Sequence, residues 1–214
     1  IQSLSILRHS SAHLLAQAVL NLYPGTLYGV GPDIEDGFYY DFLFKENISD
    51  ADLPKIEKEM LKLSKANQLF VKSIQKKPDA MDLFKNQQFK MELIDSADES
   101  EGVEDSEVSL YSNNEFIDLC RGPHVPNTGF IKHFKLTRLG GAYWRGDENN
   151  SQLQRIYGTS WFNKEDLEQY LKRRVEAEKR DHRKLMIIDQ RTAWLGSFNI
   201  SQKHLPKEFL SKTQ

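Results

Sequence analysis

The sequence predicts an α+β fold: an antiparallel sheet packed around a central histidine-bearing helix, with a C-terminal linker helix. Three observations predict it. Arg8-His9-Ser10-Ser11-Ala12-His13-Leu14-Leu15-Ala16-Gln17-Ala18-Val19 opens a helix that is apolar on nearly every side, the pattern of a buried helix. From Val108 onward, short runs with strand character dominate, at 108–112, 133–139, 142–145 and 153–161. Helices and strands alternate too irregularly for a parallel βαβ series, which leaves an antiparallel sheet.

Taken in order, the first helix ends at Tyr23-Pro24-Gly25, because proline and glycine together stop it. A short strand over 27–31 follows. Pro32-Asp33 and Asp36-Gly37 are turn pairs, and Gly37-Phe38-Tyr39-Tyr40-Asp41-Phe42 reads as a strand pairing with its predecessor, Phe38 and Tyr40 on one face. Ser49 caps a helix that carries Pro54 near its first turn and runs to about Asn67, with Leu53, Ile56, Met60 and Leu63 as its apolar stripe. A strand is expected over 69–75 and a short helix over 78–86, while 89–94 fits either state. Residues 95–107 hold seven acidic side chains in thirteen, the composition of a solvated loop or hairpin tip. Asn163 caps the last helix, which sets Leu167, Tyr170, Leu171 and Val175 on one side and gathers Lys and Arg towards its end.

A chain of 214 residues, 39% hydrophobic and 28% charged, supports one substantial core or a domain with an appendage. No apolar run approaches the ~20 residues of a membrane span, so no membrane partner is expected. A single cysteine excludes an internal disulfide and favours a reducing, cytoplasmic setting. The start at Ile1 fits a fragment or a processed piece. Charge is uneven: residues 1–110 carry 11 Lys+Arg against 19 Asp+Glu, and residues 111–214 carry 18 against 12, within a net charge of −2. A basic second half suits a polyanionic partner.

His9 and His13 lie four apart, so they project from one face of the helix, one turn above the other. Asp118-Leu119-Cys120-Arg121-Gly122-Pro123-His124 repeats that spacing with Cys120 and His124. The four residues are a suitable tetrahedral zinc set. Without metal they suit acid–base chemistry, in which water held between neutral imidazoles near a lysine attacks an ester carbonyl.

Several ordered segments extend this pair of motifs. They are His9-Ser10-Ser11-Ala12-His13, Gly31-Pro32, Gly37-Phe38-Tyr39-Tyr40-Asp41, Asp118-Leu119-Cys120-Arg121-Gly122-Pro123-His124, Phe134-Lys135-Leu136, Gly141-Ala142-Tyr143-Trp144-Arg145-Gly146-Asp147, Gln154-Arg155-Ile156-Tyr157-Gly158-Thr159 and Lys179-Arg180-Asp181-His182-Arg183-Lys184-Leu185. Together they resemble the editing region of bacterial-type threonyl-tRNA synthetases, related to that of alanyl-tRNA synthetases, over roughly residues 5–185.

The resemblance implies hydrolysis of the ester joining serine to the acceptor end of threonine tRNA. It assigns His9, His13, Lys90, Cys120 and His124 to the catalytic set and Tyr40 and Asp118 to substrate binding. In that assignment Lys90 polarises the ester or holds water, one histidine positions or deprotonates water or a ribose hydroxyl, Asp118 holds the substrate ammonium, and Tyr40 shapes the wall. The alanyl branch is similar to a metal site at His9, His13, Cys120 and His124, whereas the threonyl branch implies water and side chains alone, so zinc is an optional ligand and no cofactor is required. Lys132, Lys135, Arg138, Arg145 and Arg155 are the candidates for tRNA phosphate contacts in the basic half.

The expected organisation is an editing domain over 1–162, a linker helix over 163–185 and an atypical tail over 186–214. The class II core that binds ATP in the full-length family is not expected in this chain, and with it aminoacylation; the remainder of a synthetase is a further expected partner. The tail, read with His182 and Lys184, resembles one copy of a phospholipase D motif through Asp189, Gly196, Ser197 and Asn199. That motif acts in pairs, so phosphodiesterase activity is the remoter alternative. A non-catalytic module that binds the tRNA acceptor end is the nearer one.

Overall fold

The computed structural model describes residues 3–96, 107–181, 185–188 and 192–195, and divides into two units, Ile1–Leu167 and Glu168–Gln214. The first unit is built on α1 (Leu4–Leu22). The helix begins a turn before the histidine motif because Ser3 caps it, its side chain accepting from Ile6 N. Tyr23 ends it as the sequence predicts, its N–H reaching Val19 O at 2.8 Å. Leu7, Leu14, Leu15, Ala18 and Val19 are fully buried, and so are Ser10 and Ser11 on the same turns.

The strands are antiparallel in both sheets of this unit. In the larger sheet β1 (Leu27–Tyr28) and β2 (Asp33–Ile34) both pair with β3 (Gly37–Leu43), which lies beside β8 (Gln152–Trp161), which lies beside β7 (His133–Tyr143). The period of two in β3 sends Phe38, Tyr40 and Phe42 into the core against α1. The strand predicted in two pieces, 133–139 and 142–145, is one strand with an irregularity between Leu136 and Arg138. Gly140 and Gly141 do not break it, because Arg155 and Gln154 pair across from them.

The smaller sheet is β4 (Val71–Lys76), β5 (Glu107–Asn113) and β6 (Phe116–Leu119), in that order. Sequence reading had no strand at Phe116–Leu119, where one face buries Phe116 and Asp118. Helix α2 (Leu53–Lys65) follows a 3-10 turn at Asp50–Asp52, where Ser49 and Asp52 bond reciprocally. Helix α3 (Lys77–Leu83) is shorter than predicted. Residues 89–94, open between helix and strand, lie in α4 (Gln88–Asp95), which buries Phe89, Lys90 and Ile94.

Helix α5 (Lys164–Asp181) starts where Asn163 Oδ1 accepts from Asp166 N at 2.8 Å, as its capping role predicts. In the second unit β9 (Leu185–Ile188) and β10 (Thr192–Leu195) pair antiparallel. His182, Lys184, Asp189 and Gly196-Ser197-Phe198-Asn199, which carry the phospholipase D resemblance, lie outside the described residues. Among those described, no helix is long and apolar enough to cross a membrane.

Candidate functional site

Five segments deliver one cluster. Helix α1 supplies His9 and His13, the turn after β6 supplies Cys120 and His124, β6 itself supplies Asp118, and β3 and α4 supply Tyr40 and Lys90. The donor atoms of His9, His13, Cys120 and His124 all lie within 4.8 Å of one another. Cys120 Sγ is 3.3 Å from His9 Nε2 and 3.2 Å from His124 Nε2, and it accepts the Gly122 N–H at 3.2 Å. Gly122 makes that turn with φ +73°, a left-handed conformation that glycine adopts without a Cβ penalty. The His13 and His124 rings are 4.3 Å apart between centroids, and His9 and His124 are 4.5 Å apart.

Burial decides the charge state of this half. The desolvation of imidazolium lowers His13 well below its ordinary value, helped by the unfavourable coupling to His9, were both rings to be charged, and by the Lys90 ammonium. The same cause pushes His124 down to about 2, with His13 and His9 adding to it and Asp118 opposing. Burial lowers His9 as well, against Asp33 and Asp118. Cys120 is pushed up to about 12, again chiefly by burial. At neutral pH the cluster is therefore three neutral imidazoles and a thiol, which makes Cys120 a wall rather than a nucleophile.

Asp118 anchors the other half. It is 2% exposed and meets three side chains: Lys90 Nζ in an ion pair, Tyr40 Oη donating at 2.6 Å, and His13 Nε2 at 3.5 Å. Lys90, 1% exposed, also donates to Tyr40 Oη at 3.1 Å and sits over the Tyr28 ring at 4.8 Å. A buried ammonium is costly unless a carboxylate and further donors or rings surround it, and these do. Burial and the Asp118 charge raise Tyr40 well above its ordinary value, so it remains a phenol that donates. The Asp118 carboxylate is engaged by Lys90, Tyr40 and His13 together.

The four-residue group fits a metal. Zinc held at ~2.0–2.3 Å by nitrogen and sulfur puts its tetrahedral ligands roughly 3.5 Å apart, close to the observed sulfur–nitrogen separations. His13 Nδ1 is buried without a hydrogen-bond partner, a lone pair or proton left for a ligand.

The five basic candidates behave differently. Lys135 pairs with Glu57 at 2.8 Å, Arg155 holds Asp41 through two bonds of 2.6 and 2.8 Å, and Arg145 donates to Glu92 O and Ser96 Oγ. Arg138 lies over the Tyr157 ring at 3.6 Å, and Lys132 is exposed. They are spread along β7, β8 and the turns beside them rather than gathered around the histidines.

Sequence reasoning missed several residues of the pocket. Phe70 stacks on His124 at 4.8 Å and 5°, and Tyr111 meets the same ring at 4.5 Å. Tyr28 floors Lys90 while its hydroxyl donates to Ile117 O at 2.8 Å. Ser10 Oγ lies 3.0 Å from His124 Nδ1. Only Ser10 carried a signal: a serine inside an apolar helix is unfavourable unless its hydroxyl is bonded.

Residues 108–157 match the family described as threonyl and alanyl tRNA synthetase second additional domain. Over 186 residues the chain is 54% identical to the threonine–tRNA ligase of Francisella tularensis subsp. novicida (strain U112). It is 53% identical over the same length to that of Francisella tularensis subsp. tularensis (strain FSC 198). Each match takes in 86% of this chain, which spans only 28% of the relative's length.

Proposed function

The chain belongs to the threonyl-tRNA synthetase family, in the region of its second additional domain, and from that premise we propose that it hydrolyses seryl-tRNA(Thr) as an editing deacylase. The observation that carries the reading is the joining of two chemistries in one buried site. Three neutral imidazoles meet a Lys90–Asp118 pair through His13, 3.5 Å from the carboxylate. Neutral imidazoles accept a proton from water or a ribose hydroxyl, and a buried ammonium stabilises the oxyanion that forms on the ester carbonyl.

The chemical need is plain. A synthetic pocket that accepts threonine gains only ~1–3 kcal/mol against serine, which lacks one methyl, so a second hydrolytic pocket must supply the rest. In this reading His9, His13, Lys90, Cys120 and His124 line the reacting centre, and Tyr40 and Asp118 hold Lys90 in place and receive the amino group. Residues 1–162 form the editing domain, α5 begins the linker that the sequence extended to 185, where β9 instead starts, and 186–214 are an appendage. The partner is the acceptor end of tRNA(Thr) in the cytoplasm, with Lys132 and Arg138 the better placed of the phosphate candidates. Zinc, when bound by His9, His13, Cys120 and His124, would supply a Lewis acid; the reaction proposed here uses side chains and water.

The test is hydrolysis of tRNA(Thr) charged with serine and, in parallel, with threonine, each with and without chelator. Loss of serine with threonine spared, unchanged by chelator, is expected. Stable seryl-tRNA that still binds the chain would replace the enzyme with a binding module.

A further inference from the structure

The Ser10 hydroxyl sits where three groups converge. It is fully buried, it donates to Ile6 O at 2.8 Å one helical turn back, it accepts the Val125 N–H at 3.0 Å, and it faces His124 Nδ1 at 3.0 Å. A hydroxyl has one proton to give and two lone pairs to fill. With the proton on Ile6 O and one lone pair on Val125 N–H, the other takes a proton from His124. His124 is therefore protonated at Nδ1, and its Nε2 carries the lone pair.

That lone pair faces Cys120 Sγ at 3.2 Å. The thiol has one proton, and it goes to His124 Nε2. His9 Nε2, 3.3 Å from the same sulfur, then meets a sulfur with no proton left for it and donates its own. The direction of every bond from Val125 to His9 follows from where the Ser10 proton goes. Were the hydroxyl to give its proton to His124 Nδ1 instead, the directions from His124 to His9 would reverse and Ile6 O would lose the serine proton, so the bond to Ile6 O is what selects the tautomer.

We propose that Ser10 is a positioning residue that locks His124 as its Nδ1–H tautomer and so turns the Nε2 lone pair to Cys120 Sγ, at the centre of the His9, His13, Cys120 and His124 group. The role rests on the deacylase reading for its catalytic consequence, but not for the tautomer itself. It explains why a polar residue is kept inside the most buried stretch of α1. In this role Ser10 acts through the His124 ring, which Phe70 stacks on and Tyr111 contacts.

The test is nitrogen-15 NMR of the histidine rings in the full chain at pH 7.5 with chelator present, His124 being assigned with His124→Gln. The wild type is expected to carry its proton on Nδ1. Ser10→Ala is expected to move it to Nε2 or to a mixture in a chain that still folds but melts lower, because Val125 N–H loses its acceptor, with a roughly 10–100-fold lower deacylation kcat, the scale of losing a partner that orients a functional imidazole. Ser10→Thr, which restores the hydroxyl, is expected to restore the wild-type ring. A wild-type ring protonated at Nε2, or an unchanged tautomer in folded Ser10→Ala, overturns the proposal. If Ser10→Ala does not fold, the wild-type spectrum alone decides. A wild type inert towards seryl-tRNA overturns the deacylase reading, and the spectra still decide the tautomer.

Discussion

Lys90 with Asp118 and Lys135 with Glu57 are the same chemical pair in two settings. The first has side chains 2% and 3% exposed, at the meeting of α4, β3 and β6; the second, 47% and 18% exposed, bridges α2 to β7. Water screens the second and leaves it worth ~0–1 kcal/mol. The first has no water to fall back on, so either partner left alone is a buried charge or must change its protonation. The two differ in the attraction, which water screens only in the exposed pair, and still more in the cost of breaking it. A pair whose breaking is costly has a fixed geometry, which a site that must stabilise a developing charge requires.

The comparison breaks first at Lys90. Lys90→Ala is expected to abolish deacylation by orders of magnitude and to destabilise the chain by about 3–5 kcal/mol, because Asp118 is left unpaired. Lys90→Ala with Asp118→Asn should recover part of that stability and none of the activity. Urea titration and single-turnover hydrolysis separate the two. A single variant as stable as the wild type would mean the pair is not as dry as its burial indicates.

A second test uses acid. His124 is ionisable at 6.5 in the unfolded chain and pushed to about 2 in the fold. The unfolded state therefore binds the extra proton first, so the stability this ring contributes is full above pH 6.5 and drains as pH falls towards 2. At pH 4.5 the loss is about 3 kcal/mol, from roughly 1.4 kcal/mol per unit of pH. Removing the ring with His124→Gln should flatten the fall of unfolding free energy between pH 7 and 4.5 by close to one proton. Parallel curves for the two proteins would show that the ring protonates in place.

How much of this was legible in the sequence follows from the reach of each signal. His9 and His13 were, because a period of 3.6 fixes their face; Cys120 and His124 were, because the residue types and spacing repeat. The dryness of Lys90 was not. Residues 89–94 are too short to separate helix from strand, and only the fold puts α4 against Tyr40 and Asp118. Arg155 reads as a free phosphate ligand until the β3–β8 register sets it opposite Asp41, 114 residues away. The acidic partner is invisible from either segment alone. The tautomer of His124 depends on a third residue, Ser10, whose own proton is claimed by the helix.

Arg155 and Asp41 lie between the two lysine pairs. Asp41 is as buried as Asp118, but the guanidinium is 23% exposed and stacks on Tyr39 at 3.8 Å, so water reaches one side of the pair. Arg155→Met keeps only an apolar stem near Tyr39 and removes the guanidinium with both bonds, and is expected to cost at least about 2 kcal/mol, the scale of hydrogen bonds to a charged group. If the Arg155 charge reaches tRNA despite Asp41, the same variant will lower the salt dependence of binding.

The smallest expected effect closes the scale. Lys135→Ala should change the unfolding free energy by under about 1 kcal/mol and lose even that in concentrated salt, because screening reaches an exposed pair and not a buried one. Glu57 does more than pair with it: its second oxygen accepts the Leu136 N–H at 2.7 Å, so Glu57→Ala should cost more than Lys135→Ala. Measuring both variants in low and high salt separates the parts, since only the ion pair is screened and the bond to the strand backbone is not. Lys135 released from Glu57 is also a cation free for phosphate, so Glu57→Gln should strengthen tRNA binding at low salt. If it does not, the basic stripe of β7 lies away from the nucleic acid, and the acceptor end approaches the histidines from another side.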